Sequence, residues 1–144
     1  EMVKTGRRSA AWKQHMLKLM SQEGVFEHGR IGQKKLAREY FKSGVWAYPT
    51  IFTEISCIGA MRSQACGAIP VVNDYAALKE TVQWGIKNEG DVTKSETFAK
   101  YAEKLIDLLK DPEKQEEIRK EMMPKAKEMF SWQGVAESWQ KNLL

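Results

Sequence analysis

Residues 45–72 read Val45-Trp46-Ala47-Tyr48-Pro49-Thr50-Ile51-Phe52-Thr53-Glu54-Ile55-Ser56-Cys57-Ile58-Gly59-Ala60-Met61-Arg62-Ser63-Gln64-Ala65-Cys66-Gly67-Ala68-Ile69-Pro70-Val71-Val72. The first four residues are apolar on both faces, the pattern of a buried parallel strand. Pro49 ends them. After a loop through Glu54, Ile58, Met61, Ala65 and Cys66 recur at helical spacing. Gly67 closes that helix, because glycine accepts the left-handed conformation in which helices end. Ile69-Pro70-Val71-Val72 is a second short apolar run. Pro70 has no N–H to give to a ladder, which places it at the strand's first residue or on an edge. Strand, helix and strand in this order predict two parallel strands joined by a right-handed crossover.

The same alternation extends upstream. Ala11, Trp12, Met16, Leu19 and Met20 predict an amphipathic helix over roughly Ser9 to Gln22, ended by Gly24. Val25 to His28 is a strand candidate stopped by Gly29. Leu36, Ala37, Tyr40 and Phe41 mark a helix that closes near Ser43-Gly44. Downstream, Asn73 or Asp74 is placed to cap a helix from about Tyr75 to Trp84.

The last third changes character. Thr93 and Glu96 form a capping-box pattern, and Phe98, Ala102, Leu105 and Leu109 make one stripe. Asp111-Pro112 reads as a cap followed by the first helical residue, and Pro124 is expected to kink or break that helix near Met123. Ser131 can cap a last helix carrying Val135, Trp139 and Leu143. The fold class is therefore α/β: a Rossmann-like parallel sheet flanked by helices over residues 1–92, then an all-helical C-terminal tail over residues 93–144.

Composition bounds the function. The 144 residues are 42% hydrophobic and 29% charged, which fits one globular domain and not a disordered tail. No run of about eighteen apolar residues is present, so no membrane span is expected. Glu1 to Arg8 is charged and lacks the apolar centre of a signal peptide. Two cysteines exclude a disulfide scaffold and a four-cysteine zinc site, and fit a reduced, cytoplasmic setting. The net charge of +4 and pI near 9.0 allow anionic ligands without requiring nucleic acid. The chain opens on Glu1 and runs almost at once into helix, so a piece of a longer protein is expected.

Ligands of open α/β sheets bind beyond the carboxyl ends of the strands. Three segments fall there: Gly29-Arg30-Ile31-Gly32, Pro49 to Ile58, and Asn73 to Ala77. Each leads from a strand into a helix, where free N–H groups and the helix dipole favour an anion. Taken singly, Gly29 and Gly32 read equally as turn residues, and Ser56 as a cap. Glu54, read at a helix start, either complements the dipole or accepts hydrogen bonds from sugar hydroxyls. Arg62, eight positions later, is expected two turns along on a similar face, contacting a phosphate or an acid, or only solvent. Cys57 sits where a thiolate is stabilised, but no base accompanies it, and a small buried residue is the simpler reading. His15 and His28 have no ligand partners at metal spacing, so no metal site is assigned. Lys34, Lys35, Arg38 and Lys42 line one helix, interrupted by Glu39. They read as a solvated face, with nucleic-acid binding as the weaker alternative.

The segment from Glu54 to Val72 resembles the group 1 glycosyltransferases, retaining enzymes of GT-B architecture. That family carries Glu, seven intervening residues, Glu, small residues, then Gly and Pro-Val-Val. Val25 to Ile31 is similar to its strand ending in Gly-Arg-Val, and Leu36 to Pro49 to its helix and Pro-ended strand. Asn73-Asp74 through Glu80 falls where the family has Asp, two glycines and Glu. Leu108 to Pro112 and Phe130-Ser131-Trp132 resemble its tail.

The resemblance implies the C-terminal, donor-binding half of a GT-B fold, a single partial domain with the N-terminal acceptor domain absent. It implies a nucleotide-diphosphate sugar as substrate and an unidentified acceptor. The reaction is a hexosyl transfer in polysaccharide, glycolipid or glycoconjugate synthesis, with no cofactor and no metal for the chemistry. By position, Glu54 matches the family carboxylate that contacts the donor sugar and is the catalytic candidate. Ser56, Cys57 and Ile58 match the backbone that cradles sugar and phosphate. Gly29, Arg30 and Ile31 match the loop beside the nucleobase. Arg62 stands where a second Glu holds the ribose, and a guanidinium has no acceptor for hydroxyls. Ala76 and Ala77 replace the paired glycines. The isolated chain is expected to be inactive without the missing domain in cis; its Trp132- and Trp139-bearing tail is expected to reach towards that domain and, in isolation, to be loose or to associate with copies of itself. The alternative is a non-catalytic interaction domain of the same fold that has lost donor binding.

Overall fold

The structure, a computed structural model, describes residues 2–143. In chain order its elements are α1 (Met2–Met20), α2 (Gln33–Lys42), β1 (Val45–Tyr48), α3 (Ile58–Cys66), β2 (Ile69–Asn73), α4 (Leu78–Thr81), β3 (Ile86–Asn88), α5 (Ser95–Lys110), α6 (Pro112–Met129) and α7 (Trp132–Leu143). The chain divides into two units, Glu1–Gly32 and Gln33–Leu144.

The first unit is α1 and the segment after it. The strand expected over Val25–His28 is absent. A strand needs a neighbour for its N–H and C=O groups, and among the described residues none pairs with this run. Val25 and Phe26 are exposed, Phe26 to 81%.

The second unit holds a parallel sheet of order β1-β2-β3. Val45, Trp46, Ala47 and Tyr48 pair with Ile69, Pro70, Val71 and Val72, and Val71–Asn73 pair with Ile86–Asn88. The Rossmann-like α/β class expected from the sequence is the observed one. β2 is central and wholly buried. β1 lies at one edge of the described sheet, with Ala47 exposed, so the expectation of a strand buried on both faces holds only in part.

Pro70 is neither at an edge nor first in its strand, contrary to expectation. Ile69 N–H bonds to Gly44 O (3.0 Å) on the β1 side. Alternation turns the amide position of Pro70 toward β3, whose pairing begins only at Val71. The missing donor thus falls just before that ladder. Gly85 makes this approach possible: at φ +139 a Cβ there would lie 2.5 Å from Pro70 O.

Side chains alternate across the sheet as strand geometry requires. Val72 joins Cys57, Ala60, Leu78 and Val82 on one face, with Trp46 and Tyr48 packed against them. Ile69 and Val71 join Tyr101, Leu108 and Met122 on the other, beneath α5 and α6. Arg119 of α6 donates to Gly67 O (3.1 Å) and Gly44 O (3.2 Å), tying α6 to the end of α3 and the start of β1.

Several local expectations are corrected. Asn73 completes β2 and does not cap a helix; α4 is one turn long, its cap position held by Ala77 without a side-chain bond. Thr93 and Glu96 form no capping box: Thr93 instead folds onto Asp91 Oδ1, and Lys94 occupies the cap position of α5. The buried face of α5 is Thr97, Tyr101 and Leu108, one position round from the expected stripe; Phe98 and Leu109 are exposed. The α6 helix runs through Pro124 unbroken. Pro124 and Lys120, whose carbonyl loses its helical donor, are both exposed, so water can serve that carbonyl. Asp111 does cap α6, accepting from Lys114 N–H (2.9 Å), and Ser131 caps α7 through Gly134 N–H (2.9 Å).

Candidate functional site

The carboxyl ends of the three strands lie side by side, and their loops are bound together. Asn73, the last residue of β2, donates from Nδ2 to Thr50 O (3.1 Å) in the β1–α3 loop. Ala77 N–H bonds to Glu54 O (3.2 Å), and the Thr53 and Tyr75 hydroxyls are 3.0 Å apart. Asp74 N–H bonds to Asn88 O (2.9 Å) at the end of β3. Asn88 Nδ2 donates to Asn73 Oδ1 (3.1 Å) and Thr97 O (2.9 Å). Both asparagines are buried, and Asn88 Oδ1 has no partner among the described residues. Two of the three segments expected to converge therefore do so, the Pro49–Ile58 and Asn73–Ala77 loops. The third, Gly29 to Gly32, belongs to the first unit; Gly29 there has φ +59.

Glu54 lies in this rim, half-buried, four residues before α3 begins. It is not at the helix start, so helical spacing does not relate it to Arg62. Tyr48, the last residue of β1, donates its phenol to Glu54 Oε1 at 2.7 Å. The second carboxylate oxygen has no donor among the described residues. This leaves a fixed carboxylate with free acceptor capacity at the edge where an open α/β sheet binds its ligand.

Cys57 holds the cap position of α3, and its carbonyl accepts from Ala60 N–H (3.0 Å) and Met61 N–H (3.2 Å). Burial pushes its thiol pKa up, and the charge of Glu54 adds to this, against the pull of nearby N–H groups. A protonated, buried thiol agrees with the small-residue reading and not with a nucleophile. Ser56 is exposed and does not cap α3. Ile58, the first residue of α3, is exposed, and its N–H has no acceptor among the described residues. The start of α3 thus presents a free donor and the positive end of the helix dipole to the rim.

Arg62 faces α2. Its Nη1 donates to Gln33 Oε1 (2.6 Å), and it lines a cleft of about 280 Å³ with Gln33, Leu36, Ala37, Tyr40 and Cys66. Ala76, where the resemblance expects a glycine, has φ +48, a left-handed conformation that L-residues adopt at a cost. Arg30 is exposed and Ile31 half-buried in the first unit.

The remaining candidates are exposed. His15 and His28 are exposed, and among the described residues no three His, Cys, Asp or Glu side chains group as metal ligands. Lys34, Lys35, Arg38 and Lys42 are exposed, and Lys42 makes a 3.4 Å ion pair with Glu39, as a solvated face does. Among the described residues no helix is long and apolar enough to cross a membrane.

Sequence reasoning placed Thr53, Asn73 and Tyr75 inside its two loop segments without giving them a role in the rim, and missed Tyr48, which it read only as the end of a buried strand. The β1–α3 loop also exposes Ile51, Phe52 and Ile55, the last to 95%, next to exposed Ile58 at the start of α3. Neither curated proteins nor solved structures provide a match to this chain. Residues 5–126 match the family model described as glycosyl transferases group 1. That match spans most of the chain and agrees with the parallel sheet: the chain belongs to the group 1 glycosyltransferase family.

Proposed function

We propose that this glycosyltransferase domain binds a nucleotide-diphosphate sugar across the β1–α3 and β2–α4 loops, with Glu54 as the residue that contacts the sugar. The observation that carries this reading is the Glu54 carboxylate, held by Tyr48 with acceptor capacity to spare beside the free start of α3. A carboxylate accepts hydrogen bonds from vicinal hydroxyls, whereas a helix N-terminus attracts phosphate. The two features adjoin, as the two halves of a sugar nucleotide do.

In this reading the glycosyl group passes to the acceptor with retention of configuration. The departing diphosphate gains negative charge, which the α3 dipole and nearby cations stabilise. Ser56, Cys57 and Ile58 supply backbone to the cradle. Arg62, bonded to Gln33, offers a cation and no acceptor, so it serves phosphate rather than ribose hydroxyls.

The exposed apolar run Ile51, Phe52, Ile55 and Ile58 beside the site suits a second, acceptor-holding domain of the same protein. The chain alone then binds donor but transfers nothing. Both cysteines are free, which fits a reducing, cytoplasmic setting. Ala76 at φ +48 and Arg62 favour one competing reading, a domain that keeps the fold and binds no donor.

A thermal-shift panel of nucleoside diphosphates and their sugars separates the two. A ligand at 100 times its Kd stabilises by about 2.7 kcal/mol, a shift of about 9 °C for a chain of this length. No shift with any member at millimolar concentration contradicts donor binding.

A further inference from the structure

We propose that Tyr48 is the positioning residue for Glu54, holding the carboxylate against the donor sugar through its phenol hydrogen bond. The inference rests on the donor-site reading above and deepens it. The phenol donates to Glu54 Oε1 at 2.7 Å, across a six-residue turn. The ring that carries the phenol is set by the core and not by the loop. It stacks on Trp46 with centroids 4.9 Å apart and planes at 27°, and both rings pack against Cys57, Ala60, Val72, Leu78 and Val82. Tyr48 is also the last residue of β1, paired with Val72 in the sheet.

Glu54 itself has little else to orient it. Its backbone is tied at Glu54 N–H to Phe52 O (3.0 Å) and at Glu54 O to Ala77 N–H (3.2 Å). These bonds fix the main chain and leave the side-chain torsions free. The phenol removes that freedom and dedicates one carboxylate oxygen to the protein, so the other is presented to the ligand. The Tyr48 proton is held to higher pH than usual, with the bond to Glu54 as the largest cause, in keeping with a phenol that donates to a carboxylate.

The test is titration calorimetry on the whole chain with UDP-glucose, UDP-N-acetylglucosamine, GDP-mannose and ADP-glucose, each against its bare nucleoside diphosphate. The ratio of the two affinities measures what the sugar adds. Glu54→Gln is expected to abolish that ratio for the preferred donor. Tyr48→Phe, which keeps the ring and its stacking, is expected to reduce it about tenfold and leave the bare nucleotide unaffected.

If no sugar improves on its nucleotide, or Glu54→Gln leaves the ratio intact, the donor-site reading fails and the inference falls with it. If Glu54→Gln abolishes the ratio and Tyr48→Phe keeps it, the positioning role alone is overturned. Equal weakening of sugar nucleotide and bare nucleotide by Tyr48→Phe also overturns it, since a structural role acts on both. Ultraviolet titration of the tyrosines gives a check that needs no Tyr48 variant. Glu54→Gln is expected to return one raised phenol toward the usual range, and an unchanged titration overturns the bond itself.

Discussion

Replacing Gln64 with Met tests whether the sheet and its loops are held as described. Gln64 is fully buried in α3. Its Nε2 donates to Ala60 O and Thr81 O, both at 2.9 Å, and its Oε1 accepts from Gln83 N–H (3.0 Å) and Trp84 N–H (3.1 Å). One amide therefore clamps α3 to the segment that leads into β3. Methionine has similar length and volume, so packing survives. Ala60 O keeps the bond from the Ser63 hydroxyl (2.9 Å), but Thr81 O, Gln83 N–H and Trp84 N–H lose this partner. An orphaned buried group costs about 1–3 kcal/mol. The bonds to Gln83 and Trp84 are only part-buried, which sets them at the low end. The three together cost about 4 kcal/mol, and a buried thioether in place of an amide returns about 1 kcal/mol. The expected net loss is about 3 kcal/mol, or about 10 °C in Tm. Urea unfolding followed by tryptophan fluorescence reads it, with exposed Gln83→Met as a control expected within about 0.5 kcal/mol. A loss below about 1 kcal/mol for Gln64→Met, with the slope on urea unchanged, refutes the clamp.

Two further outcomes follow from the same core. Gly85→Ala places a Cβ 2.5 Å from the backbone oxygen of Pro70 at φ +139, so a loss of about 3 kcal/mol or more is expected in urea; a neutral result contradicts the close approach of Gly85 to β2. Tyr101→Phe removes the bond from its phenol to Val71 O (2.8 Å) and is expected to cost about 1–2 kcal/mol. Burial pushes the Tyr101 pKa up to about 12 from the ordinary 10.0. The folded state therefore holds that proton more tightly than the unfolded state. The contribution is intact below pH 10 and is lost as pH rises toward 12. Urea curves across that window are expected to converge for natural chain and variant; parallel curves contradict the assignment.

β1, α3 and β2 were legible because their apolar runs are bounded by residues with one backbone meaning, Pro49 and Gly67. β3 was not, since Ile86-Lys87-Asn88 is three residues with one apolar side chain, and only its neighbour β2 makes it a strand. The buried face of α5 was misread because the helix is apolar around much of its girth. Phe98, Ile106 and Leu109 look as suited to a core as Tyr101 and Leu108, and the sheet decides between them. Val25 to His28 shows the converse, a good strand pattern with no partner among the described residues. At the site, the position of Glu54 beyond a strand end was readable from residue order. Its bond to Tyr48 was not, because a six-residue turn has no fixed geometry in sequence.

The most direct test of the central claim is amide chemical-shift mapping of the chain during titration with the sugar nucleotide that stabilises it most. The account predicts that the shifts concentrate on Thr50 to Gly59 and Asp74 to Ala77, and that Glu54→Gln removes those which the sugar adds beyond the bare nucleotide. Shifts confined instead to the open groove of about 810 Å³ between α6 and α7, lined by Trp84, Val135 and Trp139, contradict it.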